Sequence, residues 1–175
     1  MERCRVSSVW VADTGLICAG FGGGCHWCTE AVFQSLRGVR TVEQGFIRSE
    51  PPHDTWSEAI IAHFEPALIG LDTLIAVHVR THAATSNHTL RGKYRSAVYT
   101  FDDAQTENAR THLAQEAQNF EETLVTQALP FQSFKASDER FQNYYATRPD
   151  RPFCATYIDP KLAEIRLCFS DYAAT

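Results

Sequence analysis

Cys25 and Cys28 form a C-x-x-C pair at a junction between two kinds of chain. Before them lie an apolar run, Leu16-Ile17-Cys18, and a glycine-rich turn, Gly20-Phe21-Gly22-Gly23-Gly24. After them Ala31, Val32, Phe33 and Leu36 recur with helical spacing. The pattern predicts a strand, a turn and then a helix with Cys25 at its start. Unpaired backbone N–H groups and the positive end of the helix dipole favour a thiolate there. The thiolate is the nucleophilic form of cysteine, so the spacing points to covalent sulfur chemistry at Cys25. Cys28 reads in two ways, as the second thiol of a thioredoxin-type redox pair or as a small apolar residue of the first helical turn.

Four other cysteines complete the set of six. Cys154 follows Arg148-Pro149-Asp150-Arg151-Pro152, which reads as a flexible segment, and a mobile thiol can reach and resolve an oxidised partner. Cys18 and Cys168 sit among apolar neighbours and read as core, and Cys4 carries no signal. Glu58 precedes Ala59-Ile60-Ile61 and is either a strand-end carboxyl in solvent or a buried acid able to donate a proton. Tyr94, between Gly92 and an expected strand, is either a packing residue or a hydroxyl donor into a pocket.

Several other chemistries lack support. His78 and His82 have i,i+4 spacing without the glutamate of a zinc-peptidase helix, and read as a surface or half-buried pair. No second C-x-x-C or spaced histidine pair completes a zinc site. A dinucleotide loop read from Gly20-Phe21-Gly22 would need glycine at position 25, which is cysteine. The net charge of −5 includes no basic stripe, which argues against nucleic acid as a partner. No apolar run approaches a membrane span, and Met1-Glu2-Arg3-Cys4-Arg5 lacks a signal-peptide core, so a cytoplasmic protein is expected. The Asn87-His88-Thr89 sequon has no meaning in that compartment.

The elements that must position these residues read as mixed α and β. Strands are expected at 15–21, 39–46, 58–64 and 96–101, and helices at 28–36, 71–79, 104–128, 138–146 and 160–168. Asp102 or Asp103 caps the longest helix and Pro130 follows its end. With 44% hydrophobic residues and eleven Phe, the chain can build a core without disulfide staples. The expected architecture is α+β: residues 1–175 as one domain, a two-layer α/β sandwich with helices on one face of a ferredoxin-like mixed sheet. An irregular, cysteine-bearing C-terminal segment completes it.

Four collinear motifs carry a resemblance to a known family. Gly24-Cys25-His26-Trp27 with Glu30 resembles the Gly-Cys-Phe-Trp signature of the A-type peptide methionine sulfoxide reductases. Lys93-Tyr94-Arg95-Ser96 resembles that family's Gln-Tyr-Arg-Ser segment, and Glu139 to Tyr145 its Glu-x-Tyr-His-Gln-x-Tyr stretch. Arg151-Pro152-Phe153-Cys154 sits where the family often carries a resolving cysteine. The resemblance implies thiol-dependent reduction of methionine S-sulfoxide, free or in oxidised proteins, without a bound cofactor or metal. It assigns Cys25 as nucleophile, Glu58 as proton donor, Tyr94 as hydrogen-bond donor to the oxygen and Trp27 as the wall against the substrate methyl. Cys154, or alternatively Cys28, then resolves a Cys25 sulfenic acid, and thioredoxin or another dithiol recycles the enzyme. The sequence departs from the pattern at His26, which replaces a phenylalanine. It departs again at Phe46, in Gly45-Phe46-Ile47, where the family has a Gly-Tyr stretch. Both belong to the implied substrate pocket.

Overall fold

The computed structural model describes residues 5–6, 9–10 and 15–174. Its elements run β1 (Arg5–Val6), β2 (Val9–Trp10), β3 (Ile17–Gly22), α1 (His26–Gln34), β4 (Val39–Arg48), β5 (Ser57–Phe64) and α2 (Leu71–Thr81). They continue with β6 (Ala97–Thr100), α3 (Asp103–Ala117), β7 (Gln127–Pro130), β8 (Ser133–Ala136), α4 (Tyr144–Thr147) and α5 (Asp159–Cys168). β1 and β2 pair with each other, and the remaining strands form one sheet in the order β7-β6-β3-β5-β4-β8.

The connections explain the sheet. β3 and β4 each pair antiparallel with β5, so they run parallel to one another and α1 crosses between them. β5 and β6 each pair antiparallel with β3, and α2 makes the matching crossover. Two interleaved split β-α-β units result, the ferredoxin-like core expected from the element order. β7 extends one edge parallel to β6 and β8 the other antiparallel to β4, which makes the sheet mixed.

Alternation along the strands sorts their side chains between two faces. Ala19, Phe21, Ile60, Ala62, Phe64 and Val98 pack with Val32, Phe33 and Leu36 of α1, with Leu74 and Ile75 of α2 and with Ala109 and Ile165. Cys18, Ile47, Ala59, Ile61, Ala97 and Tyr99 form a second cluster on the opposite face. Glu58 shares its parity with Ile60 and Ala62, so the strand turns it toward the helical layer. Asp102 caps α3 as expected, accepting from the Gln105 N–H at 2.7 Å. No helix among the described residues is long and apolar enough to cross a membrane.

The structure corrects four expectations. The long helix ends at Ala117; the residues up to 128 turn back, and Gln127–Pro130 pair with β6. β-Branched Val125 and Thr126 lead into that edge, and the Val125 N–H is taken by Ala84 O at 2.7 Å. The helix expected over 138–146 is only a 3₁₀ turn at Glu139–Phe141 and the short α4. Cys168 is exposed rather than core, and Cys4 lies outside the described residues. His78 is fully buried rather than at the surface: its Nε2 bonds Gly22 O at 2.9 Å and its ring stacks on His82 at 4.2 Å.

Glu30 explains the broken helix. This α1 carboxylate, 1% exposed, accepts from the Asn143 N–H (2.8 Å), the Tyr144 N–H (3.1 Å) and Gln44 Nε2 (2.8 Å). It takes backbone donors that a continuous helix would use internally, and Asn143 adopts φ 52°, in the left-handed region. Burial raises the Glu30 carboxyl above its usual range, against the pull of these three donors. Glu30→Ala is expected to destabilise the protein by about 2–4 kcal/mol, because it takes the acceptor from the buried Tyr144 N–H, from the half-buried Asn143 N–H and from the buried Gln44 amide. Urea unfolding with an unchanged m-value measures it.

Candidate active site around Cys25

The β3–α1 turn delivers Cys25 to the first position before α1, with extended backbone (φ −58°, ψ 125°). Gly23 makes this approach possible: a Cβ there would stand 2.4 Å from the His82 ring. The Cys25 thiol is held below its usual range, first by a hydrogen bond from the Cys28 thiol and then by the Trp27 and Cys28 N–H groups. Burial and the nearby Glu58 oppose the shift. The Cys28 thiol is pushed far upward, chiefly by donating to Cys25. Its proton therefore stays on, and Cys25 is the thiol of the pair that ionises first.

Glu58 is only 8% exposed, so its carboxyl is buried rather than in solvent. Its Oε2 accepts the His26 N–H at 3.1 Å, which ties the carboxyl to the first turn of α1. Phe46 lies directly across the β4–β5 ladder from Glu58 and packs edge-on to the His26 ring at 5.2 Å. The His26 side chain is thus buried between α1 and β4, bonded through Nδ1 to Gly45 O at 2.7 Å.

Trp27 stacks flat on Tyr144 (4.1 Å, 4° between planes), with Phe141 and Phe153 against its other sides. Its buried Nε1–H has no hydrogen-bond partner in the structure. Tyr94 connects less directly. Lys93 Nζ lies 3.7 Å from Glu58 Oε1 and 5.0 Å from the Tyr94 ring centroid, and so stands between them. Tyr94 and then Glu58 hold the Lys93 ammonium above its usual range.

Cys154 is completely buried and lies in a helical turn, Cys154–Ile158, leading into α5, a correction to the mobile segment expected from the prolines. Its Sγ–H donates to Arg148 O at 3.3 Å. It packs with Cys28, Tyr144 and Ile158, and Cys25 and Trp27 border that cluster. Three thiols therefore lie together, with Cys28 in contact with Cys25.

Sequence reasoning missed Lys161. With Cys25, Cys28, His82, Phe153 and Tyr157 it lines a cavity of about 280 Å³ beside the thiol pair. Its Nζ donates to Thr81 O. Burial lowers the Lys161 ammonium, while Cys28 and Cys25 pull it back up. Its position in Ile158-Asp159-Pro160-Lys161 carried no chemical pattern, because only the α5 crossing brings it to Cys28. Burial lowers both His78 and His82, the latter to about 4, and their rings hydrogen-bond within the protein, His78 to Gly22 O and His82 to His78 O and the Ser96 hydroxyl.

Comparisons with known proteins fit this arrangement. The family model described as peptide methionine sulfoxide reductase matches residues 18–171. The peptide methionine sulfoxide reductase MsrA of Deinococcus radiodurans is 33% identical over 167 residues, covering 86% of this chain and 81% of that protein. Among solved structures, the reduced form of Mxr1 from Saccharomyces cerevisiae superposes with a TM-score of 0.72 at 17% identity, covering 87% of this chain and 97% of that one. Mxr1 in complex with Trx2 gives a TM-score of 0.64 at 17% identity, covering 80% and 92%. These structural likenesses bear on the fold.

Proposed function

The chain belongs to the peptide methionine sulfoxide reductase family, and from that premise we propose which of its residues carry the reduction of methionine S-sulfoxide. The Cys25 thiolate attacks the sulfoxide sulfur. Glu58 gives a proton to the oxygen, and the Tyr94 hydroxyl hydrogen-bonds it. Trp27, Phe46 and His26 border the substrate. Methionine leaves, and the oxygen ends on Cys25 as a sulfenic acid, so the cysteine is oxidised as the sulfoxide is reduced. One observation supports this assignment above the others: the Cys25 thiol, lowered by Cys28, stands at the start of the same helix whose His26 N–H fixes the Glu58 carboxyl. Nucleophile and acid are thereby held by one turn of backbone.

The second half of the cycle turns on which thiol resolves Cys25. Contact with Cys25 supports Cys28: its sulfur attacks the sulfenic acid, water departs and a disulfide forms without a change of fold. Cys154, packed behind Cys28 and held to Arg148 O, is the next thiol in line. The electrons come from an external dithiol rather than a resident cofactor. The Trx2 complex of the yeast structural neighbour supports a thioredoxin in that role, which also fits a cytoplasmic setting.

The test is turnover of the separate S- and R-sulfoxide epimers with dithiothreitol, and then with thioredoxin. Consumption of the S epimer alone is expected. If neither epimer is consumed while the protein reduces insulin disulfides, it is a C-x-x-C exchanger and the assignment is lost. Cys28→Ser is expected to release about one methionine per chain but to lose most thioredoxin-driven turnover. If Cys154→Ser does this and Cys28→Ser does not, the resolver is Cys154.

A further inference from the structure

His26 replaces what should be an apolar residue, and both of its ring nitrogens face polar atoms. Nδ1 lies 2.7 Å from Gly45 O. A carbonyl only accepts, so Nδ1 carries a hydrogen, and Nε2 is left as the position where a proton comes and goes. Nε2 lies 3.8 Å from Glu58 Oε2, and both side chains are about nine-tenths buried. An unprotonated Nε2 facing a carboxylate would set a lone pair against a negative charge. A neutral ring facing a carboxylic acid, or an imidazolium facing a carboxylate, removes that conflict, and each arrangement holds one proton between the two groups.

We infer that His26 and Glu58 form a single proton-holding unit in which His26 keeps available, to higher pH, the proton that Glu58 delivers to the sulfoxide oxygen. The inference rests on Glu58 being the donor. In each turnover the unit gives up one proton. That proton ends in the Cys25 S–OH group as methionine departs, and the unit regains one from water once the product has left. Glu58 alone would be a poor store. A carboxyl ordinarily loses its proton near pH 4.3 and an imidazole near about 6.5. The Lys93 ammonium, 3.7 Å from Glu58 Oε1, favours the carboxylate further. From α1, the Cys25 thiolate beside Glu58 and the Glu30 carboxyl that interacts with His26 favour keeping the proton. From β4, Phe46 covers the ring without a charge. Of these groups, His26 is the one that faces Glu58 Oε2 with a ring nitrogen able to take up the proton. His26 Nε2 need not touch the substrate, so it acts as a positioning and proton-supplying residue through Glu58.

The experiment is single-turnover methionine release, without reductant, as a function of pH. It compares the wild type, His26→Phe, His26→Asn and Glu58→Gln, each checked for folding by circular dichroism. Phe retains the packing on Phe46, and Asn retains a donor toward Gly45 O; neither can hold the second proton. The basic limb is expected to fall by about one pH unit or more in both His26 variants, while the acid limb, which reports the Cys25 thiolate, stays in place. A basic limb unchanged in a folded His26 variant overturns the shared-proton inference, and either variant suffices to decide. Glu58→Gln separates the two levels. If it leaves the release rate intact, the donor assignment itself fails. If it slows release at every pH while the His26 variants show no shift, only the role of His26 is lost.

Discussion

Cys25→Ser is expected to remove methionine formation from both sulfoxide half-reaction and turnover, a loss of at least about 10⁴-fold, the scale on which removal of a catalytic nucleophile acts. The hydroxyl cannot stand in, because the environment is built to stabilise a thiolate: a thiol donor from Cys28 and the Trp27 and Cys28 N–H groups. Unfolding cannot explain such a loss. Position 25 is the N-cap of α1, where serine is among the preferred residues and can accept from the same N–H groups. The variant should therefore melt at or slightly above the wild-type temperature. The same environment fixes a pH dependence. A lowered thiol pKa means that the reactive form is gained as pH rises through that lowered value, below the usual 9.0. Cys28→Ala removes the leading cause, so alkylation of Cys25 by iodoacetamide should shift to higher pH. If that profile does not move, the thiol–thiol hydrogen bond does not control Cys25.

The placing of Cys25 at a helix start was legible from the chain because its causes are local. A strand pattern, a glycine turn and a helix pattern in succession place a cysteine at a helix start whatever else the fold does. The same holds for the β-α-β-β-α-β core, whose strands and crossovers each carry their own periodicity. Elements decided by distant partners were not legible. Residues 118–128 have helix-compatible composition, but the last of them, Gln127 and Ala128, are drawn into a strand paired with β6. Residues 138–146 also favour a helix, yet Glu30, 113 positions before Asn143, captures its backbone donor. Cys154 followed two prolines and read as mobile, but the turn it joins continues into α5 and buries it against Cys28.

The site shows the same division. Cys25, Cys28, Trp27 and His26 come from one helical turn, and their proximity needed no tertiary information. Glu58 could be marked as an odd polar residue at the head of an apolar strand. Its choice between solvent and burial depended on the His26 N–H and Lys93, neither of them its neighbour in sequence. Lys161 reaches the thiols only through the packing of α5, and the aromatic stack under Trp27 needs Tyr144 and Phe153 from opposite sides of a turn. His26 stood out as a departure from a family pattern, but the two polar neighbours of its ring, Gly45 O and Glu58, come from β4 and β5 and needed the fold to bring them there.

Glu58→Gln is expected to lower the rate of methionine release by about 10²–10⁴-fold, the usual contribution of a positioned general acid. The substitution is nearly isosteric, and the amide oxygen can still accept the His26 N–H that anchors the wild-type carboxyl at 3.1 Å. The amide nitrogen can hydrogen-bond a sulfoxide oxygen but has no proton to transfer. Substrate binding should therefore change little while the bond-breaking step slows, which separates a fall in kcat from a rise in KM. Stability should change little as well. The ion pair lost with Lys93 has a partner whose side chain is 61% exposed, and such pairs contribute at most about 1 kcal/mol. A large loss of stability would mean that Glu58 chiefly holds α1 against β5. A folded variant with an undiminished release rate would mean that the oxygen takes its proton from elsewhere, and Lys93, 3.7 Å from Glu58 Oε1 and beside Tyr94, would then be the nearest charged group able to supply it.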